Sequence, residues 1–216
     1  MPPHQYSSKK EALQALERET AEDVSLPLQE ANLVFGKGNP DAEVIFIGEA
    51  PGYYENRERR PFVGRSGQLL TELLKTIGWK RENVYITNIV KRRPPENRDP
   101  TPEEITLYTP YLLRQIEIIR PKVILPLGRF SMNFFLPTAK ISRDQGKMFW
   151  WKESLVVPLY HPAAALRSMS VKAELEKSFS TLPTLREKYA ELLKERGAIT
   201  MPSEKEEVGK KQPGLF

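Results

Sequence analysis

The sequence predicts a three-layer α/β/α sandwich around a mostly parallel, four-stranded sheet. Continuous apolar runs rich in β-branched residues predict the strands, and they lie at 44–47, 84–90, 122–128 and 154–160. Between and after these runs, apolar residues recur at helical spacing. Strands that alternate with helices are typical of doubly wound α/β domains. Because the runs are continuous rather than alternating, we expect both faces of the sheet to be covered.

Length and charge divide the chain into three parts. The 216 residues suffice for one such domain with tails. A capping pattern after Ser8 predicts a short surface helix within an N-terminal arm, residues 1–28. The α/β domain is predicted to span 29–196. The polar, charged segment 197–216 is predicted to be a disordered tail.

Composition limits the classes of protein that the chain can represent. The net charge of +5 is compatible with binding to nucleic acid but does not establish it. The absence of cysteine excludes disulfides, thiolate chemistry and cysteine-ligated metal. No signal-peptide pattern and no apolar run of 18 residues occur, so we expect a cytoplasmic protein without a membrane partner.

The first strand leads directly into a loop that contains candidate functional residues. The loop GEAPG places Glu49 at the carboxyl end of the strand, where open α/β sheets bind ligands. A basic segment with Arg60 follows, then Phe62 and Arg65, without the glycine pattern of a phosphate cradle. An acid, an aromatic ring and arginines suit an aromatic, polyanionic ligand. An ordinary strand-turn-helix with a solvated loop is an equal alternative on composition alone.

Two polar residues follow later strands, and each has a structural alternative. Asn88 lies near the end of the second strand, and composition favours a structural amide there. The donor and acceptor of an amide could nevertheless read the edge of a pyrimidine base. His161 follows the fourth strand, although a lone histidine is more often structural than catalytic. The basic, proline-containing loop 91–98 predicts a contact with DNA phosphates or a solvated connection.

Three ordered motifs resemble those of the family 4 uracil-DNA glycosylases over residues 22–195. They are GEAPG with Glu55 and RPFVGRSGQLL, then TNIVKRRPPENR at 87–98, and YHPAAALR at 160–167. The resemblance implies a uracil-DNA glycosylase-like fold. It also implies a monofunctional enzyme of base excision repair that flips deoxyuridine out of single- or double-stranded DNA and hydrolyses its N-glycosidic bond. That reaction releases uracil and leaves an abasic site.

The resemblance assigns roles to the residues at the sheet edge. Phe62 is expected to stack on the base, Asn88 to read it, and His161 to donate to uracil O2. A donor at O2 stabilises the negative charge that develops on the departing base.

The sequence leaves two candidates for the acid that positions the water. Ala50 occupies a substrate-binding place where some other glycosylase families keep a catalytic aspartate. Either Glu49 or Glu55 must then supply the carboxylate, and Asn97 matches a position associated with the catalytic centre.

The resemblance also implies a surface for DNA and excludes covalent chemistry. The expected contacts with DNA are Arg60, Arg65, Lys91, Arg93, Arg98, Leu166 and Arg167. The side chain that fills the gap left by the flipped base is reduced at Ala165, so Leu166 or Arg167 is expected to replace it. No lysine is placed to form a Schiff base. The basic loop also lacks the histidine with which a related group traps the abasic sugar.

The chain departs from the family at the places of its metal cofactor. Family 4 enzymes usually hold a [4Fe-4S] cluster through four cysteines, and those places fall near Asp23, Leu26, Arg92 and Tyr108. We therefore expect no cluster and no other cofactor or metal. Our hypothesis is that Asp23, Arg92 and Tyr108 form a polar or ionic substitute that ties the arm to the 91–98 loop.

The end of the chain suggests a second partner. Gln212, Leu215 and Phe216 resemble the bacterial sliding-clamp-binding pentapeptide, which predicts a prokaryotic, nucleoid-associated monomer that docks on the clamp. Two alternative functions are open. One is a catalytically inactive adaptor that binds DNA or the clamp, and the other is a glycosylase for other deaminated bases such as hypoxanthine.

Overall fold

A computed structural model describes residues 6–200, of which residues 197–200 are described by their backbone alone. The predicted clamp-binding residues Gln212, Leu215 and Phe216 lie outside the described residues. In the described part, six strands form one sheet with eight α-helices around it.

The sheet has four parallel strands in its middle and a short antiparallel strand at each edge. The strands are β1 (Lys37–Gly38), β2 (Val44–Gly48), β3 (Tyr85–Asn88), β4 (Val123–Pro126), β5 (Phe149–Trp151) and β6 (Ser154–Val156). Their order in space is β1-β3-β2-β4-β6-β5. The antiparallel pairs are β1 with β3 and β5 with β6. The four predicted strands are therefore the parallel ones, and the count of four was wrong because the two edge strands went unpredicted.

The helices follow the predicted alternation. They are α1 (Lys9–Glu22), α2 (Tyr53–Glu58), α3 (Arg65–Thr76), α4 (Pro102–Ile119), α5 (Arg129–Phe135), α6 (Ile141–Asp144), α7 (Pro162–Ala165) and α8 (Met169–Thr200). None of the described helices combines the length and apolarity needed to cross a lipid bilayer.

Strand β2 shows how the layers form. Its Val44 and Phe46 side chains pack in one core with α3, α7 and α8. Its Ile45 and Ile47 side chains pack in a second core with α1, α4 and α5. Successive residues of a strand face opposite sides of the sheet, so a continuous apolar run covers both faces. The predicted three-layer α/β/α sandwich is confirmed.

The predicted helix start at Ser8 is present, and α4 begins with a cap of the same kind. The Ser8 side chain accepts from the backbone N–H of Glu11 at the start of α1. Thr101 forms a capping box with Glu104 at the start of α4. Helix α1 is not a short surface helix, however. It has 14 residues, and its buried Leu13 packs in the same core as α4.

The parallel register brings the candidate residues to one edge of the sheet. Gly48 pairs with Asn88 at the carboxyl ends of β2 and β3. A bridge between Leu127 and Leu159 extends the β4–β6 pairing to two residues before His161. The segments after Gly48, Asn88 and Leu159 therefore leave the sheet at the edge where α/β folds bind ligands.

Candidate active site

Two of the predicted site residues, Phe62 and Asn88, lie against Gly48, and the third, His161, lies next to Phe62. A Cβ atom added to Gly48 would lie 2.3 Å from Asn88 Oδ1 and 2.6 Å from the Phe62 ring. The Phe62 and His161 ring centroids are 5.6 Å apart. The structure therefore brings Phe62, Asn88 and His161 together at the carboxyl edge of the sheet.

The backbone around Phe62 is fixed by its neighbours. Phe62 adopts a positive φ of 52°, a conformation that costs free energy for a bulky residue. A Cβ atom on Gly67 would lie 1.9 Å from the Phe62 carbonyl oxygen, so glycine lets α3 pack directly on this loop. The Arg81 guanidinium donates to the Pro61 carbonyl. Arg81 and Gly67 hold the aromatic ring in place, and the sequence motifs alone did not show this.

Glu55 is also part of this loop rather than a free carboxylate. Its Oε1 atom accepts from the backbone N–H groups of Val63 and Gly64, each at 2.9 Å. Gly64 is the N-cap of α3, so the carboxylate satisfies N–H groups where the helix begins. Glu55 thus anchors the segment that follows Phe62.

The imidazole of His161 is held in one neutral form. The backbone N–H of Ala163 donates to His161 Nδ1 at 3.1 Å. Burial and, to a smaller extent, the charge of Arg167 lower the pKa of His161 to about 4, against the opposing charge of Glu55. The ring is neutral at neutral pH, and because Nδ1 is an acceptor, the proton lies on Nε2. His161 therefore offers an Nε2–H donor.

Glu49 lies in an environment that favours its protonated form. Burial, the charge of Asp99 and a hydrogen bond between the two carboxyl groups together raise the pKa of Glu49 to about 7, against the opposing charge of Arg129. Arg129 in turn pairs with Asp99 at 2.6 Å. Glu49 therefore exchanges its proton near neutral pH. Asp99 and Arg129 were not predicted as neighbours of Glu49, because both lie far from Glu49 in the sequence and 30 residues from each other.

Lys91 is misassigned by the sequence prediction. Its side chain is fully buried, and its ammonium donates to the Asn88 carbonyl at 2.6 Å, to Thr87 Oγ1 at 2.8 Å and to Gln115 Oε1. Burial lowers the pKa of Lys91 well below its usual range. The prediction that Lys91 contacts DNA is wrong, because this group fixes the end of β3 from inside the protein.

The other residues expected to contact DNA lie nearer the surface. The side chains of Arg60, Arg65, Leu166 and Arg167 are exposed, whereas Ala165 is buried. Arg98 forms a two-point ion pair with Glu104 at 2.6 and 2.9 Å, so its guanidinium is engaged with the start of α4.

The loop that contains Asn97 packs against the segment after β2. Arg93 Nε donates to Asn97 Oδ1 at 2.7 Å, and the Arg93 guanidinium lies over the Tyr53 ring. Ala50 is partly buried and packs on the core that contains Ile47.

The places of the family's cluster cysteines do not fit an iron-sulfur cluster. Asp23, Leu26, Arg92 and Tyr108 supply no thiolate, and Leu26 and Tyr108 are buried among protein atoms. Among residues 6–200, no group of three or more His, Cys, Asp or Glu side chains is placed to hold a metal ion.

These places instead form a contact that we call the arm seam (Asp23, Arg92, Tyr108 and Tyr111). Arg92 donates to the carbonyls of residues 31 and 21, at 2.5 and 3.4 Å, and the Tyr108 hydroxyl donates to the carbonyl of residue 27 at 2.9 Å. The Asp23 carboxylate accepts from Tyr111 at 2.5 Å. The hypothesis was right that Arg92 and Tyr108 join the arm to the domain. It was wrong to pair Arg92 with Asp23.

The fold and the site define an α/β/α domain that carries an aromatic ring, an amide and an imidazole at the carboxyl edge of its sheet. The family model "Uracil DNA glycosylase superfamily" matches residues 35–182, and the chain belongs to this superfamily. It is 46% identical over 194 residues to a type-4 uracil-DNA glycosylase of Archaeoglobus fulgidus, covering 86% of each chain. It is 48% identical to a type-4 enzyme of Sulfurisphaera tokodaii, covering 71% of this chain and 74% of that protein. It is 47% identical to a type-4 enzyme of Thermotoga maritima, covering 67% and 77%.

Proposed function

We propose that the protein is a monofunctional uracil-DNA glycosylase that hydrolyses the N-glycosidic bond of deoxyuridine in DNA. The placement of Phe62 against Asn88 at Gly48 and beside His161, at the carboxyl edge of the sheet, carries this proposal. These residues supply a stacking surface, a two-point reader and a neutral donor for one flipped pyrimidine.

Binding and discrimination are assigned to Phe62 and Asn88. Stacking of a base on an aromatic ring contributes about 1–3 kcal/mol, which helps offset the cost of extruding the nucleotide. The Asn88 amide can donate to uracil O4 and accept from N3–H, whereas cytosine presents the reverse pattern. Lys91 supports this choice by holding the Asn88 backbone in register.

Bond cleavage is assigned to His161 and Glu49. As the bond breaks, uracil becomes an anion and the sugar becomes cationic. The Nε2–H of a neutral His161 can donate to uracil O2, and one preplaced donor of this kind contributes roughly 3–4 kcal/mol to the transition state. Ionised Glu49 then positions the attacking water and stabilises the cationic sugar.

Glu55 and Asn97 support this site. Glu55 acts as a positioning residue, because its carboxylate is engaged by the loop that presents Phe62. Asn97 stays in the proposed catalytic set through its place in the family motif, and Arg93 orients its amide.

DNA binding is assigned to the exposed side chains near the site. Arg60, Arg65 and Arg167 are proposed to contact phosphates, each adding about one unit to the salt dependence of binding. Exposed Leu166 is proposed to fill the space left by the flipped base. We further propose that a monomer performs this reaction without a cofactor, in the cytoplasm of a prokaryotic cell.

One assay tests the reaction. Purified protein is incubated with oligonucleotides that contain uracil or hypoxanthine, and alkali then cleaves any abasic site. We expect strand breaks at uracil that disappear in His161→Ala and Asn88→Ala. Breaks at hypoxanthine alone would favour the other deaminated base, and no breaks with intact DNA binding would favour an adaptor.

The tail has its own test. The motif Gln212, Leu215 and Phe216 supports docking on a sliding clamp. Removal of the last five residues should abolish clamp binding in a pull-down and leave activity on free oligonucleotide unchanged. Loss of both activities would contradict this assignment.

A further inference from the structure

Two adjacent tyrosines stand exposed beside the proposed uracil site. Tyr53 and Tyr54 open helix α2, directly after the GEAPG loop, and are 53% and 50% exposed. Their ring centroids are 5.4 Å apart and their planes are nearly perpendicular, at 86°. Exposed aromatic residues that are adjacent in this way mark a surface for a partner.

The pair connects the two loops that border the site. Tyr54 Cδ2 lies 3.5 Å from the position of a Cβ atom on Gly64, two residues after Phe62. On the other side, the Arg93 guanidinium lies over the Tyr53 ring, with its carbon 5.4 Å from the ring centroid. The tyrosine pair therefore contacts both the loop that follows Phe62 and the basic loop 91–98.

Arginines make this surface cationic. Arg57 lies over the Tyr54 ring at 5.4 Å, and exposed Arg59 and Arg60 follow α2. Glu58 is an exposed acid on the same turn and lies 3.9 Å from Arg57. Aromatic faces beside guanidinium groups are the combination that binds unstacked bases and their phosphates.

We propose that Tyr53 and Tyr54 form a stacking platform for the unpaired nucleotides next to the flipped uridine. The inference rests on the proposed function and deepens it, because it assigns the enzyme a single-stranded or locally opened substrate. Duplex DNA keeps its neighbouring bases stacked in the helix, so it cannot use the platform fully. Arg57 and Arg93 then orient the rings and contact the adjoining phosphates.

The platform is tested by comparing Tyr53→Ala/Tyr54→Ala with Tyr53→Phe/Tyr54→Phe. The readouts are KM and kcat on single-stranded and duplex uracil oligonucleotides of the same sequence. We expect the alanine pair to raise KM on single strands by roughly 10- to 100-fold, because each stacked base lost weakens binding by about tenfold or more. The phenylalanine pair should retain the wild-type KM, since stacking needs the ring and not the hydroxyl. On duplex DNA the increase should be several times smaller.

A second experiment distinguishes a loss of stacking from a loss of structure. The base on the 5′ or the 3′ side of the uridine is replaced by an abasic spacer. On one of these substrates, the KM of the wild-type protein should rise by the same factor as the KM of the alanine pair rises on the normal single strand. The KM of the alanine pair should not rise any further on that substrate. Val24→Ala, at an 88% exposed apolar side chain outside this surface, is the matched control and should behave as wild type.

Several outcomes would overturn the platform. They are an unchanged KM of the alanine pair on single strands, an equal increase on single and duplex DNA, and an additive effect of variant and spacer. If the wild-type protein binds uracil oligonucleotides but releases no uracil, the proposed function fails instead. Binding of a fluorescent single strand would then still test the platform.

Discussion

The proposed base pocket (Phe62, Asn88 and His161) and the arm seam contain residues of the same motif, 87–98. They use polar groups in opposite ways. In the pocket, Asn88 and His161 keep hydrogen-bonding atoms available for a ligand. In the arm seam, Arg92 and Tyr108 donate to the backbone carbonyls of residues 21 and 27 of the arm. Joining two segments can be done with different chemistries, whereas recognising a base requires particular atoms at particular places. Changes in the pocket should therefore affect catalysis, and changes in the arm seam should affect stability.

The largest effect should come from His161→Ala. Loss of the Nε2–H donor is expected to lower kcat by about 100- to 1000-fold, with little change in the free energy of unfolding. Single-turnover uracil release and thermal unfolding measure the two quantities. His161→Asn is the matched variant, because its side-chain oxygen can still accept from Ala163 N–H. A kcat close to wild type in both variants would remove His161 from the mechanism.

The second-largest effect is expected in the arm seam, from Arg92→Met. Arg92→Met leaves the carbonyls of Ala21 and Ala31 without their donor, which should lower the free energy of unfolding by about 2 kcal/mol. Activity per folded molecule should not change. Urea denaturation measures the loss, with exposed Arg18→Met on α1 as a control expected to stay within about 0.5 kcal/mol of wild type. A large fall in kcat for Arg92→Met would contradict the division between the two regions.

The dependence of kcat/KM on pH distinguishes the roles of Glu49 and Glu55. Since the pKa of Glu49 is raised to about 7 and its ionised form is the active one, kcat/KM should fall about tenfold per pH unit below that value. His161 adds no limb near neutral pH, because its pKa is lowered to about 4. Glu49→Gln should lower activity and flatten the limb.

Glu55→Gln is the matched variant in this experiment. Its amide oxygen can still accept from Val63 and Gly64, so the limb should be retained. A limb that disappears in Glu55→Gln and survives in Glu49→Gln would reverse the assignment.

The smallest effect should come from Tyr111→Phe in the arm seam. It removes the hydroxyl that donates to Asp23, while Ser25 continues to donate to the same carboxylate through its N–H at 2.9 Å and its hydroxyl at 2.6 Å. The expected loss is about 1 kcal/mol, or roughly 2–4 °C in Tm. A loss as large as that of Arg92→Met would mean that Asp23 depends on Tyr111 for its position.

The sequence predicted the middle of the sheet and the main pocket residues because their signals are local. Asn88 lies at the end of one apolar run and His161 follows another, so parallel strands had to bring them to one edge. Strands β1 and β5 have two and three residues, which is too short to produce a recognisable period. They became visible only through their pairing with β3 and β6.

The basic loop shows why the remaining site residues could not be predicted. Lys91 and Arg93 are two residues apart and are both basic residue types, yet one is fully buried and the other is partly exposed. The difference comes from Gln115, an acceptor 24 residues further along the chain. Likewise, the ionisation of Glu49 depends on Asp99 and Arg129, which a local pattern does not connect with it.

The group that fixes the His161 tautomer belongs to the main chain. Every amino acid except proline carries a backbone amide N–H. Proline is therefore the one substitution of Ala163 that removes this donor to His161 Nδ1. The tautomer of His161 is therefore almost independent of which side chain occupies position 163. Genetic variation at residue 163 can alter the shape of the surface there while the hydrogen bond to the imidazole is kept.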